Sequence, residues 1–212
     1  MKRIIVILLV LLCVGCQSKP KDIKEVYPEI INESVFVEAK QDDIIAMLKN
    51  GTGVVFFSWS ECPWCHDYIN YVNESARLND LEVLFYDMYE ERKKDSDFYK
   101  EVCELISDSI DEYAYSTNGE VKKGYDSNGK VRIYMPMVIY TDRGNIIGMD
   151  YSGSMEEDHD KNADNYWNEI IDGSKRTDII ISNLETWSKE ISEIKKEIDS
   201  QGCDDACEIK ED

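Results

Sequence analysis

The sequence predicts a protein of the α/β class, in which a central β-sheet is flanked by helices. Short runs of β-prone apolar residues alternate along the chain with stretches in which apolar residues recur every three or four positions, the spacing of an amphipathic helix. The 212 residues, 42% of them hydrophobic, are enough to bury one sizeable core. We therefore expect one folded domain, over residues 34–200.

The order of the elements follows from these two patterns. The last helix carries an apolar stripe from Ile180 to Ile198, and Gly202 is expected to end it. An earlier helix begins at the pair of cysteines near residue 62 and runs through Ala76. Further helices are predicted over residues 41–50 and 96–113, and strands over residues 34–38, 53–59, 81–86, 131–140 and 145–151.

The charge balance excludes one class of function. The chain has 24 Lys and Arg against 44 Asp and Glu, which gives a formal net charge of -20. A protein that binds nucleic acid needs clustered Lys and Arg to displace the counterions of the phosphate backbone. We therefore expect no nucleic-acid partner.

The first 16 residues indicate where the protein is located. Met1-Lys2-Arg3 is a short positive start, and residues 4–14 form an apolar run too short to span a bilayer. The segment resembles a bacterial lipoprotein signal over residues 1–15, in which Cys16 takes the lipid, although an ordinary secretory leader is the alternative. Residues 16–33 are then the lipidated cysteine and a polar tether. This resemblance implies an extracytoplasmic protein anchored by lipid to the bacterial cell membrane.

Cys62-Pro63-Trp64-Cys65 stands where a buried strand ends and a helix begins. Unpaired backbone N–H groups at a helix N-terminus stabilise a thiolate, so Cys62 is expected to be an exposed nucleophile and Cys65 the shielded resolving thiol. Glu61 should oppose formation of that thiolate. The alternatives are a structural disulfide and half of a zinc site, although no second CxxC is present to complete four zinc ligands. We expect neither a metal nor another cofactor.

The CxxC, the strand before it and Met135-Pro136 at a late strand together resemble the thioredoxin superfamily, and the resemblance covers roughly residues 34–200. Gram-positive thioredoxin-like lipoproteins and bacteriocin-transport accessory proteins are similar in character. The resemblance implies a central mixed sheet flanked by helices, with a helical or loop insertion within about residues 87–131. It also implies that the bond before Pro136 is cis and faces Cys62 and Cys65.

The same resemblance implies a function. Cys62 and Cys65 would exchange disulfides with extracytoplasmic proteins or peptides, a membrane or extracytoplasmic redox partner would recycle them, and Trp64, Met135 and Pro136 would contact the substrate. Two features depart from the family. Phe56 occupies the position that commonly holds a buried carboxylate, and Glu61 occupies the position where many thioredoxins carry Trp. An accessory or peptide-binding lipoprotein with little turnover is therefore the alternative, and a metal carrier is a third.

The remaining cysteines have simpler interpretations. Cys103 lies on the apolar side of its helix and is expected to be an inert buried thiol. Cys203 and Cys207 lie in an acidic tail, over residues 201–212, and could form a local disulfide or a second exchanging pair. The acidic loop at 158–169 partly imitates a calcium loop, but Ala163 stands where the sharp turn requires Gly, so we expect a solvated loop in which His159 is exposed.

Overall fold

The computed structural model describes residues 22–113, 116–117, 120–121, 124–151, 166–171 and 173–207. Its main feature is a five-stranded mixed sheet, which confirms the α/β class. The strands of this sheet are β1 (Phe36–Glu38), β2 (Gly53–Ser58), β3 (Val83–Asp87), β6 (Met137–Asp142) and β7 (Asn145–Asp150). Short two-stranded pairs are formed by β4 (Ser116–Thr117) with β5 (Glu120–Val121), and by β8 (Ile170–Ile171) with β9 (Ser174–Lys175).

The order across the sheet is β1-β3-β2-β6-β7, so β2 lies at its centre. β3 runs parallel to both β1 and β2, with Phe56 opposite Phe85. β6 is antiparallel to β2, and β7 is antiparallel to β6. Every residue of β2 is buried, as expected for a strand covered on both faces.

The helices are α1 (Ile23–Val26), α2 (Gln41–Asn50), α3 (Pro63–Arg77), α4 (Tyr89–Lys94), α5 (Asp97–Ile106) and α6 (Arg176–Cys207). They pack on the sheet in pairs, α2 with α5 and α3 with α6. α4 and α5, with the 3₁₀ turn Ser107–Ser109, occupy the chain between β3 and β6, within the region predicted to be an insertion. The strand predicted over residues 131–140 begins only at Met137.

The N-terminal segment over residues 22–33 packs on the domain, which corrects the prediction that the polar tether extends to residue 33. Tyr27 and Ile30 are fully buried, and Tyr27 makes an edge contact with Phe85. The segment is also tied to α3, because Asn73 donates to the carbonyl of Glu33 at 3.1 Å. The buried side chains are separated by polar residues, so they give no periodic signal in the sequence.

The last helix is longer than expected, because α6 continues through Gly202 to Cys207. Its approach to the sheet depends on Gly148 of β7, where an added Cβ would lie 2.4 Å from the Trp187 ring. Trp187 also packs against Tyr140 at a ring-centroid distance of 5.6 Å. The residue at 148 must therefore lack a side chain for α6 to lie this close.

Two predicted features fall outside the described residues: the leader with Cys16, and most of the acidic loop, including His159. Within the described ranges, no helix has the length and apolar character needed to cross a membrane. Of the acidic loop, Glu169 is described, and its carboxylate forms a salt bridge with the buried guanidinium of Arg176.

Candidate active site

The CxxC segment forms the junction between the central strand and α3. β2 ends at Ser58, a turn follows, and Cys62 is the N-cap residue of α3 with Pro63 at the first helical position. The Cys62 carbonyl accepts the backbone N–H groups of Cys65 at 3.0 Å and His66 at 3.2 Å. Proline is well tolerated at that position, since its missing N–H would have no partner inside the helix.

Cys62 has the properties of a reactive thiol. Its pKa is lowered from 9.0 to about 7, first by a hydrogen bond from the Cys65 side chain and then by the backbone N–H groups of Cys65 and Trp64. The positive charge of Arg92 acts in the same direction, whereas burial opposes it. The lowered pKa increases the fraction of Cys62 that is present near neutral pH as the thiolate, the form that attacks disulfides.

Cys65 has the opposite tendency. It is fully buried, and burial raises its pKa well above the usual value, as does the nearby Cys62 thiolate. Hydrogen bonds from the Ser58 hydroxyl and the Trp59 backbone oppose this shift. Cys62 and Cys65 are not joined by a disulfide in this structure. The two pKa shifts favour ionisation of Cys62 and keep the proton on Cys65.

The predicted exposure of Cys62 is wrong, because only 5% of the residue is accessible to solvent. The Met135 carbonyl lies 3.8 Å from its sulfur, and Met135 itself is buried. The Cys62 sulfur is therefore largely covered, with the Met135 backbone among the groups that contact it. Glu61, by contrast, is exposed.

The structure brings the Met135–Pro136 segment to the cysteines, as the resemblance implied. The Met135–Pro136 bond is cis, and Pro136 lies immediately before β6, the neighbour of β2. Met135, one of the residues predicted to contact substrate, thus places its carbonyl oxygen against the Cys62 sulfur. That Trp64, Met135 and Pro136 contact a substrate stays a prediction.

Trp64 is half-buried in an aromatic cluster with Tyr166 and Trp167, at centroid distances of 5.0 and 5.8 Å. Trp167 is fixed to α3 by a hydrogen bond of 3.1 Å from its indole nitrogen to Asp67. The Arg176 guanidinium lies 4.0 Å from the Tyr166 ring centroid. Trp64 therefore forms part of a packed wall beside the CxxC rather than an isolated apolar side chain.

Sequence reasoning missed a buried pair of hydroxyl groups beneath Cys65. The Tyr27 and Ser58 hydroxyls are 2.8 Å apart, and Ser58 also hydrogen-bonds the Cys65 thiol. Ser58 could have been recognised as the polar end of an otherwise apolar strand. Tyr27 carried no such signal, because it lies in the segment interpreted as a tether.

His66, which follows the CxxC, links the N-terminal segment to the same turn. Its Nδ1 lies 3.0 Å from the Glu29 carboxylate and its Nε2 lies 2.9 Å from the Ser60 carbonyl. Burial disfavours the charged ring, but these two partners outweigh it and raise the His66 pKa above 6.5. Its ring also packs on Tyr27 at 4.8 Å.

Phe56 occupies the position that commonly holds a buried carboxylate in the thioredoxin superfamily, and its ring stacks on that of Tyr68 at a centroid distance of 6.2 Å.

The remaining cysteines lie on helices other than α3. Cys103 is buried, and burial raises its pKa to about 11, which agrees with the expected unreactive thiol. Cys203 and Cys207 lie in the last turns of α6, and their pairing stays a prediction. Among the described residues, no group of three or more His, Cys, Asp or Glu side chains could hold a metal ion.

Comparisons with known proteins gave no assignment. The chain matches no family model, no curated protein and no solved structure. The functional argument therefore rests on the residues around Cys62 and Cys65, and on the fold that positions them.

Proposed function

We propose that this chain is a thiol–disulfide oxidoreductase of thioredoxin-like fold that acts on protein substrates outside the cytoplasm. The observation that carries the proposal is the contrast between the two cysteines: the Cys62 pKa falls to about 7, whereas burial raises that of Cys65 well above its usual value. The sheet order, with two parallel pairings followed by two antiparallel ones, supports the fold.

The reaction proceeds in two exchanges. The Cys62 thiolate attacks one sulfur of a substrate disulfide, the substrate S–S bond breaks, and the other substrate sulfur leaves as a thiolate. Cys65 then loses its proton and attacks the Cys62 sulfur, which breaks the mixed disulfide and releases the second substrate thiolate. The substrate gains two electrons and two protons, and the protein is left with a Cys62–Cys65 disulfide. The reverse sequence oxidises a substrate dithiol.

Ser58 and Tyr27 assist the second exchange. Cys65 must ionise in a buried environment, where a charge without hydrogen-bonding partners is unfavourable. The Ser58 hydroxyl donates to the developing thiolate, and the Tyr27 hydroxyl, 2.8 Å away, keeps Ser58 in place. The two hydroxyl groups thus supply hydrogen bonding near the Cys65 sulfur, where Phe56 offers no carboxylate.

Trapping of the mixed disulfide tests the proposal. Cys65→Ser should accumulate covalent adducts with extracytoplasmic proteins, because the first exchange proceeds and the second cannot. Adducts should be absent from the Cys62→Ser control and should disappear on reduction. If Cys65→Ser also gave no adducts, the proposal would be overturned.

A peptide-binding accessory role is the second candidate, and the 5% exposure of Cys62 favours it. Under this alternative, extended peptides would bind beside Met135 without exchange. The wild-type protein would then bind peptides with the same affinity whether they contain a disulfide or serines, and Cys65→Ser would trap nothing.

We also propose the membrane anchor, on the basis of the leader and Cys16. Cys16→Ser should move the protein from the membrane fraction to the soluble extracytoplasmic fraction, or leave its precursor uncleaved. Unchanged membrane association and processing would contradict lipidation at Cys16.

A further inference from the structure

A cavity of about 390 Å³ lies between the start of α4 and the loop before β6. Its charged lining consists of Arg92, Lys93, Lys130 and Arg132, together with Asp95 and Asp126. Cations therefore outnumber acids here, although the whole chain carries a net charge of -20. Such a local reversal of sign identifies the cavity as a distinct electrostatic feature of the surface.

Both acids of the lining have other partners. The Asp126 carboxylate accepts the backbone N–H groups of Asn128 at 2.8 Å and Lys130 at 2.9 Å, which closes the turn before the β6 loop. Asp95 lies 3.5 Å from the Lys100 ammonium, outside the cavity lining. Their charges are thus partly compensated by backbone N–H groups and by Lys100, although the Lys130 charge also stabilises the Asp126 carboxylate.

Lys93 has a weak contact with an acid, and Arg132 also packs on an aromatic ring. Lys93 lies 3.9 Å from Glu90 in an exposed pair and 5.6 Å from the Tyr89 ring centroid. The Arg132 guanidinium packs 5.1 Å from the Tyr134 ring centroid. Exposed pairs such as Lys93 with Glu90 contribute little free energy, so a ligand carboxylate can compete for the lysine.

Hydrogen bonds link the lining of the cavity to the chain segment that reaches the candidate active site. Arg92 donates to the carbonyl of Ile133 at 3.3 Å, and the backbone N–H of Ile133 donates to the Tyr99 hydroxyl at 3.3 Å. Ile133 is two residues from Met135, whose carbonyl contacts the Cys62 sulfur. Two residues span at most roughly 7 Å, so a substrate held at Cys62 can reach the cavity with neighbouring side chains.

We propose that this cavity is a subsite for carboxylate side chains, and that it selects protein substrates with Asp or Glu within about five residues of the reactive cysteine. Arg92, Lys93, Lys130 and Arg132 would bind these carboxylates, while Tyr89 and Tyr99 supply apolar walls. The proposal rests on the oxidoreductase function proposed above and names the substrate class of that same site.

The test uses three disulfide-containing peptides that differ only in having Glu, Gln or Lys near the cysteine. Each rate of reduction by the reduced full-length protein is divided by the rate with dithiothreitol, which removes the effect of charge on the disulfide itself. We expect kcat/KM to be roughly 1.5- to fivefold higher for the Glu peptide than for the Gln peptide, and lowest for the Lys peptide. Salt should shrink these ratios.

Variants then assign the preference to the cavity. In Lys93→Gln/Lys130→Gln, the Glu-to-Gln ratio should fall toward one. The matched control is Lys189→Gln/Lys195→Gln, which removes the same charge from exposed positions of α6, a helix that contacts the far half of α3 through Ser188 and Ser75. The control should keep the wild-type ratio. Equal loss in both double variants would overturn the subsite, because a general charge effect would then explain the preference.

Two further outcomes separate this proposal from the function on which it rests. Equal normalised rates for the three peptides would overturn the subsite and leave the oxidoreductase function intact. If the reduced protein reduces no peptide and the oxidised protein oxidises none of the matching dithiol peptides, the oxidoreductase function fails. The subsite is then judged from fluorescence anisotropy with labelled Cys→Ser peptides. Tighter binding of the Glu peptide, lost in Lys93→Gln/Lys130→Gln, supports it. Equal binding of the Glu and Gln peptides overturns it. A preference for the Lys peptide at low salt would show that the net charge of the chain dominates, and would also overturn the subsite.

Discussion

At the scale of single residues, the pKa of Cys62 depends most on its neighbour Cys65, whose thiol donates a hydrogen bond to it. Cys65→Ala removes that donor and should raise the Cys62 pKa, whereas Cys65→Ser keeps a hydroxyl donor and should give a smaller change. The measurement is the rate of Cys62 alkylation against pH, followed by peptide mass spectrometry. The wild-type rate should rise through about pH 7. Identical profiles for the Ala and Ser variants would show that a hydrogen bond from the side chain at position 65 does not set the Cys62 pKa.

His66 provides a pH-dependent link between the CxxC turn and Glu29. Because its folded pKa is raised, its contribution to the free energy of unfolding is complete below about pH 6.5, the unperturbed value, and is lost as the pH rises through the folded pKa. Glu29→Gln should reduce this contribution by about 0.2–1 kcal/mol, since the pair is partly exposed. Urea denaturation at pH 5 to 8 measures it. Glu104→Gln, at an exposed position of α5, is the control. If the free energy of unfolding of Glu29→Gln depended on pH as steeply as that of the wild type, the link would be contradicted.

The burial of Cys62 shows why residue-level details of the site could not be predicted. The CxxC and its position before a helix follow from local sequence, and so does the contrast between the two thiols. The exposure of Cys62 depends instead on Met135, which the fold brings to it from 73 positions away. Arg92 likewise acts on Cys62 from the next helix along the chain, and no local pattern links the two residues.

At the scale of elements, the N-terminal segment should contribute to the proposed disulfide exchange through the Tyr27 hydroxyl group. Tyr27→Phe removes the 2.8 Å hydrogen bond to Ser58 and keeps the ring in the core. The resolving step should slow by roughly two- to tenfold, because a net hydrogen bond contributes about 0.5–1.5 kcal/mol. Decay of a preformed mixed disulfide, followed by stopped flow, measures this step. Tyr86→Phe, which loses only a bond to the Gln41 side chain, is the control and should leave the rate unchanged.

The same segment should also contribute to stability. Ile30 is 1% exposed and Ile31 is 77% exposed, so adjacent residues provide a matched comparison. Ile30→Ala should lower the free energy of unfolding by about 2–5 kcal/mol, because it leaves a cavity in the core. Ile31→Ala should change it by less than about 0.5 kcal/mol. Chemical denaturation distinguishes the two, and equal small effects would show that the segment does not pack on the domain in solution.

Helices and strands with a clear pattern of apolar residues were predicted well, and segments without such a pattern were not. β2 and α3 follow from a continuous apolar run and an amphipathic stripe, and both were found close to their expected positions. Residues 22–33 bury Tyr27 and Ile30 among polar neighbours, which leaves no period of two or 3.6 to detect. The glycine at 202 was expected to end α6, but a single glycine lowers helix stability by only about 1 kcal/mol and can be accommodated.

At the scale of the whole molecule, the net charge of -20 should make stability depend on salt. The described ion pairs at Lys93, Lys94, Lys100 and Lys189 are mostly exposed, so they offset little of the repulsion among the acidic side chains. The screening length falls from about 30 Å at 0.01 M salt to about 8 Å at 0.15 M, which weakens long-range repulsion more than contacts at 3–4 Å. Raising NaCl over this range should therefore raise Tm by a few degrees.

Repeating the salt experiment at lower pH provides its control. Near pH 4.5 many of the exposed carboxylates take up protons, since their unperturbed pKa values are about 3.9 and 4.3, so the net charge shrinks and the dependence of Tm on NaCl should weaken. Sodium chloride is preferred to sulfate, because sulfate also strengthens the burial of apolar surface. A Tm that falls with NaCl at pH 7 would mean that short-range ion pairs contribute more than overall repulsion does.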